Sequence, residues 1–181
     1  MSLVHAGFKF SLDVIYDQIL ARVSNNGNRP VFLTGHSLGG AMALLCAYRL
    51  RAVDGLNVRG VYTFAAPRPG NGHFRYKYDN LLGDRTYCWE YKNDPVPHFP
   101  PMDGTPIGPS HVGQLNRVMP DGKIIRDDDK PYLIVPPVIG VIPDHDMENY
   151  IRVMKKALSN KSRTAVNNPT YLVEGDAPDL I

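Results

Sequence analysis

Apolar positions change their period twice within the first fifty residues. From Phe8 to Ser24 they recur at steps of three and four (Phe8, Leu12, Ile15, Ile19, Val23), which predicts an amphipathic helix with that row buried. Asn25-Asn26-Gly27-Asn28 ends it. Val31 to Thr34 is short, apolar and β-leaning, and reads as a strand. Leu38 to Leu50 is rich in Ala, Leu and Met and reads as a helix. Asp54-Gly55 marks a turn, and Val58 to Phe64 is a second strand running into Pro67-Arg68-Pro69-Gly70-Asn71. A helix over about 71–80 and a third strand, Thr86 to Tyr91, follow. Strands alternating with helices predict a parallel sheet with crossover helices.

The second half is less regular. Residues 93–109 hold six prolines and read as a loop. Val112 to Val118 reads as a strand that turns at Asp121-Gly122. Residues 131–143 are apolar but broken by Pro136, Pro137 and Pro143. Asp144 to Leu158 reads as a last helix, acidic at its start and with Lys155-Lys156 near its end, as the helix dipole favours. The pattern predicts one unit over residues 1–159 and an open polar tail over 160–181, with no internal repeat.

Composition narrows the function classes. The chain has 181 residues, 43% of them hydrophobic, and a formal net charge of +2. That charge is too small to argue for nucleic acid or an anionic membrane as a partner. Asp127-Asp128-Asp129 is the longest like-charge block and suits a solvated loop. Cys46 and Cys88 fall in a predicted helix and a predicted strand, form no C-x-x-C pair, and read as buried free thiols. The sequence shows neither a signal peptide nor a run apolar enough to span a bilayer, and the compartment stays open.

Residues 35–40, Gly-His-Ser-Leu-Gly-Gly, lie where the first strand meets the second helix. A Gly-x-Ser-x-Gly at such a junction is a nucleophile elbow. Gly35 and Gly39 are expected to let strand and helix approach closely, with the Ser37 hydroxyl left exposed. The N–H of Leu38, heading the helix, is expected to face any oxyanion formed at Ser37. The competing reading makes Ser37 a helix N-cap after a glycine-rich turn.

A serine hydroxyl needs a base to take its proton and a carboxylate to orient that base. In this order of elements the acid and then the base follow the serine on loops after strands. Asp94, directly after the third predicted strand, is placed for the acid; Asn93-Asp94-Pro95 is also ordinary turn chemistry. Among six histidines, His145 sits at the last loop-to-helix junction and is placed for the base, with His98 as runner-up. His36 is expected to point away because it adjoins Ser37, and His111 reads as structural. Asp144-His145-Asp146 could suggest metal ligation, but adjacent residues rarely converge on one ion, and no metal site is expected.

These segments together resemble the class 3 lipases, the group of the fungal triacylglycerol lipases. The resemblance runs through Val4-His5-Ala6-Gly7-Phe8, Thr34 to Ala41, Thr63 to Asn71, Asn93 to Pro97 with Pro100-Pro101, His111-Val112-Gly113, and Asp144-His145 with Tyr150. These blocks keep the family order from residue 4 to about 155. The resemblance implies an α/β-hydrolase fold, a mostly parallel sheet with flanking helices. It implies Ser37 as nucleophile, Asp94 as orienting acid and His145 as base, acting on lipid or other acyl esters without a cofactor. Family members are often secreted. In the family, several strands, a second oxyanion donor and a lid precede the Val-His-x-Gly-Phe block, which begins here at Val4. The expectation is therefore an N-terminally shortened domain whose first strand lacks a neighbour on one side. A second chain or a homodimer could cover that edge. The alternative function is a weak or silent lipase-like module whose activity needs the missing region. From the residues themselves, Ile139, Val141 and Ile142 are offered as an acyl pocket or a transient lipid-surface contact, against the reading that they are ordinary core.

Overall fold

The computed structural model describes residues 1–25, 29–101, 105, 107–126 and 143–167, with side chains through 161. Its elements in chain order are α1 (Ala6–Ser24), β1 (Val31–His36), α2 (Leu38–Ala52), β2 (Val58–Phe64), β3 (Gly70–Asn71), α3 (Gly72–Leu82), β4 (Thr86–Tyr91), β5 (Pro109–Ser110), β6 (Gln114–Val118), β7 (Ile124–Arg126) and α4 (Met147–Asn167). Five strands form the main sheet in the order β1-β2-β4-β6-β7. The first four are parallel, and β7 closes the sheet antiparallel to β6. β3 and β5 make a small antiparallel pair beside it. The mostly parallel sheet between helices is the predicted α/β architecture. The small pair and β7 are too short to leave a periodic signal in the sequence.

Strand alternation divides the core in two. Val31 and Leu33 of β1, Val61 of β2, Cys88 of β4 and Leu115 of β6 pack with Leu12, Tyr16, Leu44, Leu50, Phe74 and Tyr78 from α1, α2 and α3. Burying a side chain such as Leu44 stabilises the fold by roughly 1.5–3 kcal/mol. On the opposite face, Phe64, Tyr91 and Val118 pack with Tyr150, Val153 and Met154 of α4. α4 thus covers the carboxyl ends of the strands. Towards their other ends, Tyr62 and Tyr87 stack at 5.4 Å on the same face, and Phe32 is 57% exposed. β1 is the outermost strand and pairs with β2 alone among the described residues. Cys46 and Cys88 are buried free thiols, and burial pushes each up to about 11.

Three expectations change. Ile15 is 39% exposed, whereas Tyr16 is buried and bonds Asp54 at 2.5 Å. α1 therefore turns its Leu12–Tyr16 side inward, because the Tyr16 hydroxyl finds an acceptor and Arg49 lies 3.6 Å over its ring. The last helix starts at Met147, since residues 143–145 form a separate single turn. It also continues past Asn160 to Asn167, where an open tail was expected.

The carboxyl edge of the sheet is sharply bent. Ser37, Ala65 and Lys92 each follow the last residue of a strand, and all three have positive φ, at 56°, 55° and 50°. Non-glycine residues rarely adopt this conformation. The cost is offset because each N–H extends the ladder by one bond: Ser37 to Phe64, Ala65 to Trp89 and Lys92 to Val118. A row of strained turns along one edge is where a fold of this type presents chemistry.

Candidate functional site

Ser37 occupies the first of these bends, with φ 56° and ψ −130°. Its side chain makes no capping bond to α2, so the N-cap reading does not hold. Its hydroxyl instead lies 2.8 Å from His145 Nε2. Behind the imidazole, Nδ1 lies 3.0 Å from Asp94 Oδ2 and 3.2 Å from Oδ1. Serine, histidine and carboxylate thus form one continuous line, drawn from residues 37, 94 and 145 by the ends of β1 and β4 and the turn before α4.

The glycines around the serine divide their labour differently from expectation. A Cβ on Gly35 would stand 2.3 Å from the Gly39 carbonyl oxygen, and one on Gly40 would stand 2.7 Å from Ala66 Cβ. A Cβ on Gly39 would meet nothing within 4 Å. The close approach of strand and helix therefore belongs to Gly35 and Gly40. Gly40 and Ala41 donate back to the Ser37 carbonyl, while the Leu38 N–H heads α2 at its positive end.

Asp94 is 1% exposed, and its acceptors are filled. Oδ1 accepts from Val96 N at 2.9 Å, and Oδ2 accepts from the Tyr150 hydroxyl at 2.7 Å. The Tyr150 oxygen in turn accepts from Tyr91 N at 3.0 Å. Burial, and then the adjacent Asp94 charge, push the Tyr150 phenol far above its usual range, so it stays a donor to the carboxylate. The loop carrying Asp94 is tied down by Arg68, which is itself buried and donates to the carbonyls of His98 and Pro100.

The other histidines separate. His98 turns to the buried Glu90, with Nε2 3.6 Å from Oε2, and the half-buried Arg117 pairs with the same carboxylate. His111 is buried, and burial first and the Arg68 charge second push it down to about 3. His36 does not point away. Its Nε2 lies 2.9 Å from the His145 carbonyl oxygen, and the two rings sit 4.7 Å apart. The left-handed turn at Ser37 breaks strand alternation, so neighbouring residues both reach His145.

Both ring nitrogens of His145 are occupied by Ser37 and Asp94. Among the described residues no trio of His, Cys, Asp or Glu is arranged to hold a metal ion. Ile139, Val141 and Ile142, offered above as an acyl pocket, lie outside the described residues. Sequence reasoning missed Tyr150 as a partner of Asp94, and it missed Arg68 and His36. None of the three carried a signal of its own, since even His36 comes beside Phe64 only through the register of β1 on β2.

A family model described as lipase (class 3) matches residues 1–104. A lipase of Caenorhabditis elegans is 42% identical over 88 residues, covering 47% of this chain and 24% of its own length. A secreted mono- and diacylglycerol lipase of Penicillium cyclopium is 35% identical over 102 residues, covering 54% of this chain and 32% of its own length. Among solved structures, a lipase of Rhizopus microsporus var. chinensis superposes with a TM-score of 0.58 at 34% identity, over 64% of this chain and 41% of its own. A triacylglycerol lipase with a serine protease triad at its catalytic centre superposes with a TM-score of 0.59 at 26% identity, over 81% and 57%. The chain thus spans about a quarter to a third of the length of these sequence relatives. Among the described residues no helix is long and apolar enough to cross a membrane.

Proposed function

The chain belongs to the class 3 lipase family, and from that premise we propose that it is a serine hydrolase of carboxylic esters, with lipid acyl esters as the substrate class. One observation carries the reading: the Ser37 hydroxyl stands 2.8 Å from an imidazole whose other nitrogen faces a buried carboxylate. His145 takes the Ser37 proton as Oγ attacks the ester carbonyl. The oxyanion develops beside the Leu38 N–H at the positive end of α2. His145 then returns the proton to the leaving alcohol, and water repeats the cycle on the acyl-serine. Asp94 holds the imidazole in the tautomer with the proton on Nδ1 and stabilises the imidazolium. No step calls for a cofactor.

The lipid assignment draws on the relatives, two of which are a mono- and diacylglycerol lipase and a triacylglycerol lipase. A second reading has its own observation. β1 leads into the serine and, among the described residues, is paired on one side only. A second oxyanion donor brought by a strand or a partner chain along that open side would raise turnover by roughly 10² to 10³. On this reading the residues described here form an intrinsically slow centre that a neighbouring segment or a second copy completes.

Hydrolysis of p-nitrophenyl butyrate and palmitate by the chain, by Ser37→Ala and by Asp94→Asn separates these readings. The first expects Ser37-dependent turnover that falls by roughly 10⁴ in Asp94→Asn. Ser37-dependent labelling by a fluorophosphonate with negligible ester turnover supports the slow centre. The absence of both labelling and turnover overturns the hydrolase reading.

A further inference from the structure

The general base sits on a single turn, residues 143–145, rather than on a strand or helix. Something must therefore hold its backbone while its ring works between Ser37 and Asp94. We infer that His36 is that positioning residue: it fixes the main chain of His145 by a hydrogen bond and its imidazole by ring contact. The inference rests on the hydrolase reading for what His145 does, and on geometry for how it is held.

A carbonyl oxygen only accepts, so His36 Nε2 must carry a proton to donate across the 2.9 Å to His145 O. The His36 ring then lies 4.7 Å from the His145 ring at 33°, and 6.0 Å edge-on from Tyr150 at 71°. Tyr150 donates to Asp94, so His36 packs against the base and against the residue that orients the acid. Its own position is rigid, because it is the last residue of β1 and pairs with Phe64 in the ladder. His36 thus transmits the position of the parallel sheet to the base, one residue from the nucleophile on the same strand. Ser37 and His145 are fixed to a common support, and their separation does not depend on the loop alone.

Two variants and two readouts test this. His36→Leu removes both the hydrogen bond and the ring; His36→Gln restores an N–H of similar reach. Ser37 labelling by a fluorophosphonate is expected to slow about 10²-fold in His36→Leu, because the base drifts from attack geometry. His36→Gln is expected to recover to within about tenfold of wild type, with a hydrogen bond regained. Independently of reactivity, the downfield Nδ1–H proton resonance of His145 against Asp94 is expected in wild type and His36→Gln and to broaden away in His36→Leu. The inference is overturned if His36→Leu labels within about threefold of wild type and keeps that resonance, or if His36→Gln behaves like His36→Leu in both readouts. An unreactive wild-type chain overturns the hydrolase reading instead, and the resonance then decides the role of His36 alone.

Discussion

Replacing Gly35 by alanine is the sharpest probe of the elbow. The new Cβ would stand 2.3 Å from Gly39 O, 2.5 Å from Gly39 C and 2.7 Å from Gly40 N. All three are main-chain atoms in the first turn of α2, so no side chain can swing aside. Relief requires strand and helix to separate by roughly 1 Å to reach ordinary van der Waals contact. The structure resists that shift. Ser37 N is bonded to Phe64 O at 2.9 Å, Gly40 N is bonded to Ser37 O at 2.9 Å, and Gly40 is already close against Ala66. Overpacking of this kind costs about 1–3 kcal/mol. A 1 Å displacement of Ser37 from His145 costs about 10²-fold in reactivity. Gly39→Ala is the control. Its Cβ meets nothing within 4 Å, and a helical Gly→Ala change gains up to about 1 kcal/mol. Urea unfolding followed by the single tryptophan, Trp89, which pairs with Phe64 beside the elbow, measures stability. Fluorophosphonate labelling measures the serine. The reasoning fails if Gly35→Ala unfolds at the wild-type midpoint and labels at the wild-type rate, or if Gly39→Ala is destabilised as much as Gly35→Ala.

Two further outcomes follow from buried groups. Tyr150→Phe removes a donor from Asp94 and an acceptor from Tyr91 N in a fully buried site, so urea unfolding should show a loss of about 1–3 kcal/mol. Ser37 labelling should slow with it; unchanged stability and labelling would show that Asp94 does not need this hydroxyl. His111 is held neutral by burial, down to about 3, so the unfolded chain takes up its proton first as pH falls. Its contribution to stability is therefore intact above pH about 6.5 and falls by up to about 1.4 kcal/mol per pH unit from there to about 3. Unfolding midpoints for wild type and His111→Asn across that window check this: the variant should lose less stability on acidification, and parallel curves refute it.

The elements nearest the serine were legible because their local and tertiary demands agree. The run Val31 to Thr34 is β-leaning and Leu38 to Leu50 is helix-forming, and the break between them needs glycine whatever surrounds it. α1 was placed correctly, and Phe8, Leu12, Ile19 and Val23 of its predicted row pack on the core, but one position differs. Its apolar row includes Ile15, yet Tyr16 is buried because its hydroxyl reaches Asp54 on the turn after α2. Periodicity counts apolar side chains and cannot weigh a polar tip that finds a partner 38 residues away. The same limit hid Tyr150 and Arg68, whose partners lie on other loops.

By itself the sequence determined the alternation of strands and helices and the elbow at Ser37, and it offered Asp94 and His145 as partners of the serine by loop position and by resemblance. These follow from backbone propensity, glycine chemistry and loop position, all local in the chain. Only the tertiary structure decided that Gly40 rather than Gly39 joins Gly35 in the close approach, that His98 serves Glu90, and that His36 turns towards the base. The reason is that each depends on a neighbour distant in the chain: Gly40 meets Ala66, His98 meets Glu90, and His36 shares the ladder with Phe64 and bonds the His145 carbonyl, which no two-residue or three-and-a-half-residue period encodes.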